Sequence, residues 1–174
     1  MSVAIKRLTS VSNAQIRALA DLLIDCVEGG ASVSFMSPLS VEKATGFWRR
    51  VARATARGER ALLVAEDESG IVGTAQLILD LPENQPHRAD LSKMLVHRRA
   101  RRRGVGAAVL RGVEELAREL RKSVLVLDTA SPDAERLYAR LGWVRVGVVP
   151  DYALLPRGGF CATTFFYRRL EPDS

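Results

Sequence analysis

The chain has 174 residues, with 47% hydrophobic and 26% charged side chains and a net charge of +6. These values suit one compact domain spanning residues 1–174 and exclude a disordered polar chain. No apolar run approaches the ~18 residues of a membrane span, and MSVAIKRLTS lacks the h-region of a signal peptide, so a cytoplasmic protein is expected.

The predicted elements alternate between strand and helix. Val3–Leu8 reads as a first strand. Ser12 caps a helix with Gln15 as its capping-box partner, and Ile16, Leu19, Leu22, Leu23 and Val27 recur at helical spacing until Gly29-Gly30. Ala31–Leu39 reads as a loop. Ser40 caps a second helix carrying Ala44, Phe47, Trp48 and Val51, with Trp48 expected in the core. Ala61–Ala65 and Ile71–Leu81 form a predicted hairpin around the turn at Asp67–Gly70. Arg88–Val96 is a further strand, and Gly104–Leu120 an amphipathic helix.

Val124–Leu127 has the continuous apolar character of a central strand buried on both faces. Ser131-Pro132 opens a helix with Ser as N-cap and Pro in the first turn, and Gly142 ends it. Trp143–Val149 and Cys161–Leu170 are the last strands, joined by a predicted loop holding Pro150, Pro156, Gly158 and Gly159. The expected fold is α/β with a mixed sheet, about seven strands and about four helices.

Charge is local. Residues 87–122 hold eleven Lys/Arg against four acids, an excess of seven, so the rest of the chain is close to neutral. A confined patch suggests a specific anionic ligand, whereas a stripe along the molecule would suggest nucleic acid. Cys26 and Cys161 form no paired metal-ligand spacing, so no metal is expected, and neither sits in a nucleophile motif. His87 and His97 are expected at the surface.

The informative stretch runs from Lys93 to Ala107, where a strand passes through an arginine-rich turn into a helix. The free N–H groups and dipole of a helix N-terminus favour anions, glycines admit close backbone approach, and arginines bond phosphate oxygens. No P-loop pattern is present, and Val109 occupies the third glycine position of a dinucleotide fingerprint. The five arginines among residues 98–103 repel one another unless an anion joins them.

Arg101-x-x-Gly104-x-Gly106 resembles the acyl-CoA signature of the GNAT acetyltransferase superfamily, and Ala134-x-x-Leu137-Tyr138 followed by Gly142-Trp143 is similar to a second family feature. The segments Gly29–Leu39, Phe47-Trp48, Arg88–Val96 and Leu127–Thr129 most resemble the tabtoxin-resistance type. The sequence departs from the family at Arg98, Arg102 and Ser131, which stand where Pro, Gly and Asn are usual, and Asp90 stands where the tabtoxin-resistance type has Glu.

The resemblance implies an N-acetyltransferase in which acetyl-CoA and a small-molecule primary amine bind together and the amine attacks directly. The backbone of Met94, Leu95 and Val96 would pair with pantetheine, with a Leu95 or Val96 N–H at the oxyanion. Residues Arg101, Arg102, Arg103, Gly104, Val105, Gly106 and Ala107 would hold the pyrophosphate, and Ser131 would meet the pantetheine arm or water. Tyr138 is the candidate general acid. Asp90 and Asp128 are each either base or substrate anchor, and Ser34 and Phe35 would line the acceptor pocket. No nucleic acid or membrane partner is expected, and the apolar Phe160–Tyr167 segment suits a homodimer. Alternatives are a protein or peptide acetyltransferase, or a non-catalytic CoA- or nucleic-acid-binding regulator.

Overall fold

The computed structural model describes residues 2–171. Its elements are β1 (Ala4–Leu8), α1 (Asn13–Glu28), α2 (Val41–Ala56), β2 (Arg60–Asp67), β3 (Gly70–Ile78), β4 (Arg88–Val96), α3 (Val105–Glu119), β5 (Val124–Thr129), α4 (Pro132–Arg140), β6 (Val144–Leu154) and β7 (Phe160–Arg169). A short 3₁₀ turn, Arg98–Ala100, lies between β4 and α3. The seven strands form one sheet in the order β1-β2-β3-β4-β5-β7-β6.

Local chemistry accounts for the helix starts. Ser12 accepts the Gln15 N–H while the Gln15 side chain accepts the Ser12 N–H, closing a capping box on α1. Ser40 accepts the Lys43 N–H at α2, and Ser131 accepts the Ala134 N–H at α4.

Strand alternation divides the core in two. Leu63, Ala65, Ala75, Leu77, Ala89, Leu91, Leu125, Leu127 and Phe166 pack with α3 and α4 on one face. Leu62, Val64 and Leu95 pack with α1 and α2, including the buried Trp48, on the other. Among the described residues no helix covers the second face beyond β4. For that reason β5 is not buried on both faces as its apolar run suggests: Leu125 and Leu127 are buried, Val124 and Val126 half-buried, and Asp128 exposed.

Two strand ends and the register of one strand also differ from expectation. β3 stops at Ile78, short of Leu81. β6 runs on through Pro150 to Leu154, which an edge strand permits because its outward N–H groups need no ladder partner. β4 contains a bulge: Thr74 pairs Leu95 and Gln76 pairs Ser92, so Lys93 and Met94 together oppose Ala75, and Lys93 takes a positive φ of 50°.

The sheet also forks. β4 and β5 are parallel and pair only from Arg88↔Val124 to Asp90↔Val126. Beyond that point Leu91–Val96 and Leu127–Thr129 diverge, each held only by its outer neighbour.

Candidate active site

The fork exposes a free strand edge along Met94, Leu95 and Val96 beside the start of α3. The Val96 carbonyl accepts the Arg101 Nε–H at 3.3 Å and lies 3.6 Å from the Cys26 Sγ. A strand edge with unpaired polar groups can take an extended amide-bearing ligand as an added strand.

At the head of α3, Gly104 holds φ 77°, and no side chain caps the helix. The first-turn N–H groups of Val105, Gly106 and Ala107 therefore have no intrahelical acceptor. A Cβ on Gly104 would meet nothing within 4 Å, so its surface faces open space, whereas one on Gly106 would approach Leu137 Cδ2 to 3.0 Å. Gly104 thus serves the turn and leaves its surface open, and Gly106 serves the packing of α3 on α4. Uncapped N–H groups, the helix dipole and exposed Arg101, Arg102 and Arg103 fit a diphosphate. The adjoining strand edge fits the amide-bearing arm of CoA.

The arginine cluster is less unbalanced than its sequence suggests. Asp25 takes Arg98, Asp67 takes Arg103 at 3.3 Å, and Arg99 reaches Ser69 Oγ and the Ile71 carbonyl. Two carboxylates distant in sequence neutralise part of the repulsion, so the whole cluster does not depend on an anion. His97 is half-buried rather than at the surface: its Nδ1 lies 3.4 Å from Asp25 and accepts the Arg99 N–H.

Tyr138 sits on the α3/α4 face, buried against Trp143 and Phe166 with both ring centroids at 5.7 Å. Burial, reinforced by the nearby Asp128 charge, pushes its phenol above the ordinary value and keeps it protonated through the neutral range. Asp128 alternates to the other face, where it accepts the Thr163 Oγ1–H at 2.7 Å, and it does not cap α4. Asp90 shares that face and pairs with Arg88, which Gln85 also holds. Burial raises the Asp90 pKa, the Arg88 charge and hydrogen bond oppose the rise, and Asp128 adds to it. The fork therefore brings a neutral phenol on one face within electrostatic reach of the Asp128 carboxylate on the other, and Asp128 in turn acts on Asp90.

Ser34 is exposed with φ 78° and accepts a hydrogen bond from Lys93 Nζ at 3.0 Å. Phe35 packs edge-on against Phe47 at 5.2 Å. Ser34 and Asp128 share the wall of a cavity of about 120 Å³ with Tyr152 and Thr163, while Phe35 lies outside it. Ser131 is partly engaged locally: its Oγ accepts from Ala134 and its N–H donates to Thr129 Oγ1, so its hydroxyl proton and one lone pair remain for a ligand. Cys26 is buried and its thiol is pushed up to about 11 by desolvation, so it stays protonated near neutrality.

Sequence reasoning missed Asp25, which holds Arg98 at the turn, and Lys93 as a partner of Ser34. Only the tertiary fold brings them to the site. Among the described residues no cluster of three or more His, Cys, Asp or Glu is assembled to hold a metal, and no helix is long and apolar enough to cross a membrane.

This geometry is that of an acyl-CoA-dependent N-acyltransferase. The Acetyltransferase (GNAT) family model matches residues 21–143, and the chain belongs to that family. It is 30% identical over 128 residues to an uncharacterized N-acetyltransferase of the hisH–hisA intergenic region in Azospirillum brasilense, covering 72% of this chain and 74% of that one. Its fold is similar to a ribosomal-protein-alanine N-acetyltransferase from Brucella melitensis, with TM-score 0.80, 24% identity, and 96% and 99% of the two chains covered. It is also similar to a phosphinothricin acetyltransferase from Sinorhizobium meliloti solved with acetyl-CoA, with TM-score 0.80, 20% identity, and 100% and 95% covered. The protein is an acetyl-CoA-dependent N-acetyltransferase.

Proposed function

We propose that the acceptor is the primary amine of a small molecule. One observation carries this reading: the loop between α1 and α2 is tied across to the β6–β7 hairpin. The Ser37 N–H donates to the Pro156 carbonyl at 2.8 Å, Ser32 Oγ–H to the Leu154 carbonyl at 3.4 Å, and Arg157 to the Glu28 carbonyl at 2.8 Å. The strap roofs the acceptor face and leaves a cavity of about 120 Å³ with Asp128 in its wall. A peptide acceptor would need a groove open at both ends there. The likeness to the tabtoxin-resistance type points the same way and supports a detoxifying acetylation.

Acetyl-CoA, when bound, supplies an activated thioester. Asp128 anchors the incoming ammonium group, and Asp90, its pKa raised by burial, takes the proton directly or through water. The amine nitrogen then forms a bond to the carbonyl carbon as the carbon–sulfur bond breaks. A backbone N–H of Leu95 or Val96 steadies the oxyanion, Tyr138 gives its proton to the departing sulfur, and the second proton shed by the acylated nitrogen returns through water to the Tyr138 phenolate. Met94–Val96 bind the pantetheine arm, and Arg101–Ala107 the diphosphate.

Thiol release from acetyl-CoA, measured across a panel of small primary amines and of peptides with free N-termini, tests the reading. Turnover of small amines well above peptides is expected, and the reverse order would overturn it. The homodimer suggested by the sequence would use the β6–β7 face, where Val146 and Phe160 are 65% and 69% exposed. A monomer in sedimentation at micromolar concentration would remove it.

A further inference from the structure

The chain has four lysines, and one of them stands beside the acceptor cavity. Lys6 pairs with Glu66, Lys122 donates to the Pro86 carbonyl at 2.7 Å, and Lys43 lies exposed on α2. Lys93 occupies the β4 bulge, one residue before the free strand edge that begins at Met94. Among the described residues it makes no salt bridge. Its Nζ donates to Ser34 Oγ at 3.0 Å and lies 5.8 Å from the Phe47 ring centroid.

Two relationships place that nitrogen. Ser34 and Asp128 both line the cavity of about 120 Å³. Lys93 bonds the first and feels the charge of the second. A bulge re-aims the side chain of its extra residue, and here it brings a primary amine to the edge of the cavity assigned above to the acceptor amine.

An amine attacks only as the free base. Burial and then the Arg60 charge hold the Lys93 ammonium below its ordinary pKa, with the Asp128 charge opposing them. More of Lys93 is therefore neutral at a given pH than of a fully solvated lysine. Only a hydroxyl bond to Ser34 has to break before the nitrogen can move.

We propose that Lys93 is itself an acetyl acceptor, so that the enzyme carries a self-acetylation site at the edge of its own acceptor cavity. With acetyl-CoA bound and the cavity empty, Nζ first loses its ammonium proton to water. It then forms a bond to the carbonyl carbon as the carbon–sulfur bond breaks. The sulfur leaves with the Tyr138 proton, and the proton shed by the acylated nitrogen returns through water to the phenolate. The products are a neutral amide on Lys93 and free CoA. The inference rests on transfer at the fork, as read above, and extends it to a lysine of the chain itself.

The test incubates the purified enzyme with acetyl-CoA and no added amine, and follows each lysine by peptide mass spectrometry. Lys6 and Lys43, both exposed, report the uncatalysed reaction. Lys93 is expected to be acetylated at least about tenfold faster than either, the gain from holding amine and thioester in one site. Its rate should saturate with acetyl-CoA, stop when excess CoA fills the site, and stay independent of enzyme concentration.

Lys93 acetylated no faster than Lys6 and Lys43, or at a rate that rises with enzyme concentration, would overturn the inference. Turnover of small amines by an enzyme whose Lys93 stays unmodified would overturn it and leave the small-amine reading intact. Acetyl-Lys93 in an enzyme that turns over no small amine would uphold it and overturn that reading.

Discussion

Asp25 near the end of α1 holds both the backbone N–H of Arg98, at 2.8 Å, and its Nε–H, at 2.9 Å. The two residues are separated by 73 positions, and the pair fixes the start of the turn that leads into α3. Burial alone would raise the Asp25 pKa, but the two Arg98 hydrogen bonds and the His97 and Arg98 charges bring it below the ordinary value.

Replacing Asp25 with Asn should therefore destabilise the fold by about 1.5 kcal/mol at neutral pH, the scale of a hydrogen bond to a charged group. The depressed pKa sets the sign of the pH dependence. The contribution is fully present above the unfolded-state value of about 3.9 and is lost as pH falls through the lower folded-state value. Urea denaturation at pH 7 should separate wild type from Asp25→Asn, and the gap should close toward pH 2.

Gly104 and Gly70 form a matched pair. Both hold positive φ, 77° and 108°, and a Cβ on either would meet nothing within 4 Å. Alanine at each should cost about 1 kcal/mol of backbone strain. Only Gly104→Ala puts a methyl at the proposed diphosphate site. Calorimetry should show acetyl-CoA binding weakened about tenfold in Gly104→Ala and unchanged in Gly70→Ala.

Arg88 opposes the burial-driven rise of the Asp90 pKa. Removing its positive charge disfavours the carboxylate, so the pKa climbs further. A base works only when deprotonated. The acidic limb of the kcat/KM profile should accordingly move to higher pH in Arg88→Gln. An unmoved limb would remove Asp90 as the proton acceptor.

Much of the frame was legible because its signals are local. The Ser12/Gln15 box, Ser131-Pro132 and the Arg101-x-x-Gly104-x-Gly106 turn each lie within a few residues, and the structure forms the elements they predict. What stayed hidden depends on partners far along the chain. The Lys93 bulge does not interrupt the strand-like run from Arg88 to Val96, because the extra residue is visible only against β3. Asp25 reads as one polar position on an amphipathic helix until α1 docks against the turn. The exposure of Asp128 follows from the absence of a helix over β5, which the apolar Val124–Leu127 run does not reveal.

The central claim is that transfer occurs in the β4/β5 fork with Tyr138 as proton donor. Its most direct test is steady-state kinetics of Tyr138→Phe with the best small-amine acceptor. The ring keeps its packing on Trp143 and Phe166, so the fold is preserved. The account predicts that kcat falls on the order of 10²-fold while the KM for acetyl-CoA stays unchanged. An unchanged kcat would contradict it.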